Sequence, residues 1–168
     1  MARVRLGINC KLYYNAGSYA TPTWTEITIV KDVEITAEMD EADNTTRAEG
    51  GAKASEPTLL GIEVSGLIRH DDEDAAFLVM DNAFWQRTAK EYLVHNGATS
   101  SENSRGIRSY MKIFNWSESQ ANDAVLHRAF TLKPTISPVA AEAMIRRANV
   151  EGGTVSYVAI DAANTTPA

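Results

Sequence analysis

The sequence has very little cysteine, histidine or proline: one Cys, three His and five Pro in 168 residues. A single cysteine, Cys10, excludes an internal disulfide and reads as a small buried hydrophobe rather than a reactive thiol. The three histidines, His70, His95 and His127, lie far apart and lack the spacing of metal ligands, so each reads as a surface or loop residue. No apolar run approaches the roughly 20 residues needed to cross a bilayer. Positive charge is also short. Lys and Arg number 16 against 22 Asp and Glu, a net charge of −6, which excludes a surface built to grip nucleic acid or an anionic membrane. Nucleophile elbows, H-E-x-x-H, C-x-x-C and Gly-rich phosphate loops are missing, so neither catalysis, a metal nor a cofactor is expected. Met1-Ala-Arg-Val-Arg leads into an alternating segment without an apolar signal core, and folding in a reducing cytoplasm is expected. Asn-x-Ser/Thr at Asn44, Asn115 and Asn164 is then chance.

What the chain does contain is alternation. With 44% apolar and 23% charged residues it has the make-up of a globular domain with one core. From Glu26 to Glu38, Ile27, Ile29, Val33, Ile35 and Ala37 fall on one face and Glu26, Thr28, Asp32, Glu34, Thr36 and Glu38 on the other. Period two predicts a strand buried on one side and wet on the other. Thr58 to Arg69 repeats the pattern, with Ile62, Val64 and Ile68 opposite Glu63, Ser65 and Arg69. Between them, Met39 to Pro57 is nearly free of apolar residues and reads as one long polar loop, far longer than a hairpin of about two to five residues. Strand, loop and strand make an arm with an oversized tip.

The remaining elements follow in order. Val4 to Tyr14 alternates and predicts an outer or edge strand, followed by a loop over Asn15 to Pro22. His70 to Lys90 changes period: Ala76, Phe77, Met80, Ala83, Phe84 and Arg87 recur at helical spacing. Asp71 or Asp72 would cap this helix, with Glu73 and Asp74 in its first turn. Strands are expected at Glu91–His95, Gly106–Trp116, with Tyr110, Phe114 and Trp116 on one face, and Ala124–Pro134. Ser137-Pro138 opens a second helix to Ala148, which Gly152-Gly153 ends, before a strand over Thr154–Ile160. The pattern is mainly β: a β-sandwich or barrel with one flanking helix.

The acidic residues form a surface rather than a pocket. Glu26, Asp32, Glu34 and Glu38 are spread along one strand, whereas a paired-carboxylate hydrolase needs two acids facing across a cleft. Such a face is either a solvated exterior or a wall to which a polyanion does not adhere. Asp40, Glu41, Asp43 and Asn44 lack the spaced oxygens and central Gly of an EF-hand and read as a solvated loop.

Trp24-Thr-Glu-Ile, Val30-Lys-Asp-Val, Asp40-Glu-Ala-Asp and Thr45-Thr-Arg47 resemble the tail tube (major tail) proteins of long-tailed bacteriophages. Leu6-Gly7, Leu12-Tyr13, the acidic helix start and Thr131-Leu-Lys-Pro134 fit the same resemblance, which covers residues 3 to 134. It implies a tail-tube-like β-sandwich domain over 1–136, with 137–168 as a C-terminal extension. It further implies six copies closing a ring, an inner sheet joining into a continuous barrel, and rings stacking into a tube for genome delivery. The loop residues Asp40, Glu41, Asp43, Asn44, Thr45, Thr46, Arg47 and Lys53 would contact the next ring, with Arg47 as the anchor. Glu26, Thr28, Asp32, Glu34, Thr36, Glu38 and Glu63 would line the channel. Partners would be further copies, tape-measure and tail terminator proteins, and DNA passing without specific binding or membrane insertion. The location would be the virion tail, assembled in the bacterial host cytoplasm. The rival reading is a β-sandwich binding a glycan or peptide through Trp24, Trp85 and Trp116.

Overall fold

In the computed structural model, residues 7–45, 53, 55–120, 125–139 and 144–160 are described. They form nine antiparallel strands and one α-helix: β1 (Lys11–Asn15), β2 (Trp24–Glu26), β3 (Val30–Asp43), β4 (Ser55–Arg69), α1 (Ala75–Trp85), β5 (Lys90–His95), β6 (Arg105–Ser119), β7 (His127–Pro134), β8 (Ile145–Glu151) and β9 (Thr154–Ala159). The strand order is β2-β1-β5-β6-β7-β4-β3, with the β8–β9 hairpin branching from β6.

The expected closed barrel is not what the chain builds. The sheet is open and ends at β2 and β3, which no ladder joins. The reason lies in Ile27–Ile29, where the chain crosses from one end of the sheet to the other. Ile27 N–H donates to Leu12 O at 2.8 Å and Ile29 O accepts from Arg69 N–H at 3.0 Å. The crossing thus uses its backbone groups on β1 and β4, and β2 and β3 remain separate strands. The expected single strand from Glu26 to Glu38 is therefore split. Glu26 lies on β2 beside Lys11, and Thr28 lies in the turn.

The sheet curls so that Leu12 of β1 and Val64 and Ile68 of β4 reach one core, together with Met111, Phe130 and Leu132. α1 covers this core with Ala76, Phe77, Met80 and Ala83. Its cap is Asp74, whose Oδ1 accepts from Ala76 and Phe77 N–H at 2.9 and 3.0 Å. Asp71, Asp72 and Glu73 lie in the preceding turn, because the helix begins later than the acidic run suggests. At its other end, Arg87 N–H donates to Phe84 O and Thr88 N–H to Ala83 O, which places Arg87 in the left-handed region with φ 55°. This is the Schellman closure, normally made with glycine. A residue with a Cβ there costs about 1 kcal/mol.

A second layer lies on the other face. Tyr13, Leu93 and Ala148 pack with Trp24, Val155 and Tyr157, so the β8–β9 hairpin covers β1 and β5 from outside. The expected second helix is contradicted over 145–148, which belong to β8; 140–143 lie outside the described residues. Ladder pairing with β6, Arg105 opposite Asn149 through Ser109 opposite Ile145, overrides local helix preference. Gly152 and Gly153, at φ 58° and 74°, form a two-residue hairpin turn rather than a helix stop. Residues 7–9 form a 3-10 turn where a strand was expected, Cys10 is exposed rather than buried, and β1 is an inner strand rather than an edge. His95, expected at the surface, is 1% exposed because β5 has neighbours on both edges and cover on both faces. Tyr110, Phe114 and Trp116 do not share a face. A bulge between Ile113 and Asn115 leaves Phe114 exposed and turns Trp116 onto Phe77 and Phe84.

Two polar clusters fix the layers. Under the C-terminal hairpin, Arg108 and Glu91 pair with side chains only 4% and 3% exposed. Arg108 also donates to Tyr19 O at 2.8 Å and lies 4.4 Å from the ring centres of Tyr19 and Tyr157. Glu91 accepts from Asn15 Nδ2 at 2.6 Å. Beside α1, Arg128 joins Asp81 (2.6 Å) to Glu118 (2.9 Å), and Trp116 Nε1 donates to Asp81 at 2.8 Å. His70 contacts Glu118 at 3.1 Å.

Arg108→Met leaves a buried carboxylate without its partner and should lower stability by about 3–5 kcal/mol. Adding Glu91→Gln should recover part of the loss, a comparison that urea unfolding of the three variants provides. In the second cluster, the Gln120 amide and the Arg128 guanidinium, with His70 adding, hold the Glu118 carboxyl at about 2 rather than 4.5. A depressed carboxyl stabilises the fold fully above pH 4.5 and loses that contribution as pH falls to about 2. The unfolding midpoints of wild type and Glu118→Gln should therefore differ above pH 4.5 and converge toward pH 2.

Candidate assembly surface

The arm is the part of the molecule that the rest leaves uncovered. β4 pairs with β7 only from Val64 to Arg69, and its remainder pairs with β3 alone, out to Asp43 opposite Ser55. The nine residues Ser55 to Glu63 thus run in a two-stranded ribbon on the order of 30 Å long. A two-stranded ribbon is marginally stable on its own. Every β3 residue from Glu34 onward is exposed. The expected loop over Met39 to Pro57 is strand at both ends: Met39–Asp43 belongs to β3 and Ser55–Pro57 to β4.

Two irregularities set which side chains share a face. Between Lys31 and Glu34 the register shifts at Asp32, which has φ 54°. A second shift falls on β4, where Thr58 and Leu59 stand against Asp40 alone between the pairs Met39–Leu60 and Glu41–Pro57. The extra residue is on β4, so β3 keeps its alternation and carries the even-numbered acids Glu34 and Glu38 on to Asp40. Glu34, Thr36, Glu38, Asp40 and Glu63 are therefore on one side. Ile35, Ala37, Met39, Leu60 and Ile62 occupy the other, which Glu41 and Asp43 continue toward the tip. Met39 is 64% exposed and Ile35 42%, while Ile62 is buried, so among the described residues the strip is bare along β3 and covered where β4 meets the body.

The wet face continues across β7 and β6, where Ser65, Thr131 and Asn115 stand in register. It is not uniformly acidic: Lys133 is paired with Glu63 at 2.8 Å and stands opposite Lys112. Of the residues expected to line a channel, Glu34, Thr36, Glu38 and Glu63 fall on this face. Asp32 sits in the first bulge, and Glu26 and Thr28 belong to the far end of the sheet and the crossing turn.

The expected ring-contact residues are tied into the arm near its tip. Glu41 accepts from Ser55 Oγ and lies 3.4 Å from Lys53 Nζ, and these two hold its carboxyl below the usual range. Asp43 accepts from Thr45 N–H at 2.9 Å, and Thr45 likewise lowers its carboxyl. Thr58 Oγ1 donates to Asp40 O at 3.1 Å. Asn44 is exposed; Thr46 and Arg47 lie outside the described residues.

The three tryptophans form no common binding face. Trp24 Nε1 donates to Tyr157 Oη at 2.7 Å, Trp116 is held by Asp81, and Trp85 is 69% exposed on α1. Among the described residues there is no group of three or more His, Cys, Asp or Glu able to hold a metal ion, and no helix is long and apolar enough to cross a membrane.

No protein-family model matches the sequence, and a search of curated proteins finds no relative. Solved structures do share the fold. The chain is similar to a tail protein of an empty gene transfer agent particle, refined with six-fold symmetry, at TM-score 0.65 and 10% identity over 80% of this chain and 96% of that one. It is similar to the tail tube of SPP1 at TM-score 0.63 and 12% identity, over 77% and 75% of the two chains. A baseplate protein of the anti-feeding prophage matches at TM-score 0.59 and 9% identity, over 88% and 97%. At these identities the likeness is one of fold: a mainly antiparallel sheet with one flanking helix, shared with proteins of phage-like tails.

Proposed function

We propose that this chain is the structural subunit of a phage or phage-like tail tube. Copies associate into hexameric rings, the rings stack, and the tube delivers the genome without catalysis or a cofactor. The observation that carries this reading is the arm: a ribbon exposed on both faces, with an apolar strip left bare, in a fold otherwise covered on its inner and outer sides. The likeness to tail and baseplate proteins supports it. Asp40, Glu41, Asp43, Asn44, Thr45, Thr46, Arg47 and Lys53 would make the contact between rings. Glu34, Thr36, Glu38 and Glu63 would face the channel, where like charge keeps DNA from adhering. Tape-measure and terminator proteins would be the partners along and at the end of the tube.

Asp43 and Ser55 stand opposite each other, so residues 44–54 can be replaced by Asn-Gly as a two-residue hairpin turn. The shortened chain should keep its unfolding free energy within about 1 kcal/mol of wild type. It should also fail to form tubes. Normal tubes in electron micrographs of that variant would overturn the reading.

A further inference from the structure

His70 follows β4 directly, at the start of the turn that leads into α1, and both of its ring nitrogens face carboxylates. Nδ1 lies 3.1 Å from Glu118 of β6, and Nε2 lies 3.0 Å from Asp72 in the turn. The ring is fixed in this place. The backbone N–H of His70 donates to Leu126 O at 3.0 Å, and the ring packs 4.7 Å from the Phe77 ring of α1. Each neighbouring element adds a charge: Glu118 from β6, Asp72 from the turn, Arg128 from β7 and Asp81 from α1. Arg128 bonds Glu118 and Asp81, and Arg69 of β4 bonds Asp71. His70 is the one side-chain partner of Asp72 among the described residues.

This arrangement turns on a single proton. An imidazolium donates from both nitrogens, whereas a neutral ring has one N–H and one bare lone pair. A lone pair is repelled by a carboxylate, so a neutral His70 keeps one of its two acids. The two acids are held unequally. Glu118 is 22% exposed and is also bonded by Arg128 and Gln120. Asp72 is 81% exposed and is free to turn to water.

We propose that His70 is a proton-operated latch on the turn that opens α1. With both nitrogens protonated, it ties the turn to β6 through Asp72 and Glu118. When the ring loses one proton, Nδ1–H stays on Glu118 and Asp72 is released. The latch sits where the arm strand β4 passes into α1, so its release loosens the first turn of the helix, a local opening rather than unfolding. It belongs to the folded subunit and does not depend on the tube reading.

The test uses the full chain at about pH 5.5 and about pH 8, between which histidine titrates and carboxyls stay ionised. It follows the ring ¹⁵N shifts of His70 and the hydrogen-exchange protection factors of the Asp74, Ala76, Phe77 and Leu78 amides. The more acidic sample should show both ring N–H groups, and the more basic one Nδ1–H alone. Protection should fall several-fold between them. Asp72→Asn should stay protected in both, because an amide accepts from an N–H and donates to a bare nitrogen. Asp72→Ala should be poorly protected in both. Asp72 is exposed, so neither change threatens folding. His127→Gln should respond as wild type does, which assigns the effect to His70. Equal wild-type protection at the two pH values, a neutral ring carrying Nε2–H, an Asp72→Asn chain that responds like wild type, or loss of the response in His127→Gln would each overturn the latch.

Discussion

One short helix has to cover the apolar face of very long strands, and that mismatch shapes the molecule. α1 has 11 residues and spans about 16 Å. β4 has 15 and spans about 50 Å. The helix shields the inner sheet face where Phe77, Met80 and Ala83 meet Val64, Ile68 and Phe130, and it reaches no further. Beyond Ile62 toward the tip, the arm has backbone pairing but no cover. Pairing satisfies its amides; it does not remove Met39, Leu59 or Ile35 from water.

The other side of the sheet is handled differently. The β8–β9 hairpin lies over β1 and β5, and Arg108 is the pin between the layers, paired to Glu91 and flanked by aromatic rings from Tyr19 and Tyr157. Burying that charge is tolerable only because its hydrogen bonds are met on several sides. The C-terminal segment is thereby joined to the body through β6, which pairs with β8 along its first half and β7 along its second. The outcome is a body closed on two faces with one open limb.

Much of this was legible in the sequence, and the exceptions have physical causes. Alternation located the arm strands, and helical spacing picked out Ala76, Phe77, Met80 and Ala83 as the covering face. Alternation cannot register a bulge, so it missed that β3 is irregular at Asp32 and that β4 carries an extra residue at Thr58–Leu59, which turns Pro57 and Ser55 to the face of Glu41 and Asp43. Reading all of Met39 to Pro57 as loop failed at its two ends for a related reason: polarity marks exposure, and Met39–Asp43 and Ser55–Pro57 are strand exposed on both faces. Ile145–Glu151 misled because strand pairing with β6 outweighs local preference. His95 was hidden in a run, Tyr92–Val94, with no alternation at all, which is the signature of a strand buried on both sides. Cys10 and the Arg108–Glu91 pair depend on long-range packing, and nothing local to either residue announces it.

The single extra residue of β4 at Thr58–Leu59 makes the arm sensitive to counting. Beyond it, inserting or deleting one residue in a strand exchanges the two sides of the limb, whereas a change of two keeps each side in place and moves the end by about 7 Å. Reach and sidedness are thus separable properties in this protein. The limb can be lengthened without turning over only in even steps.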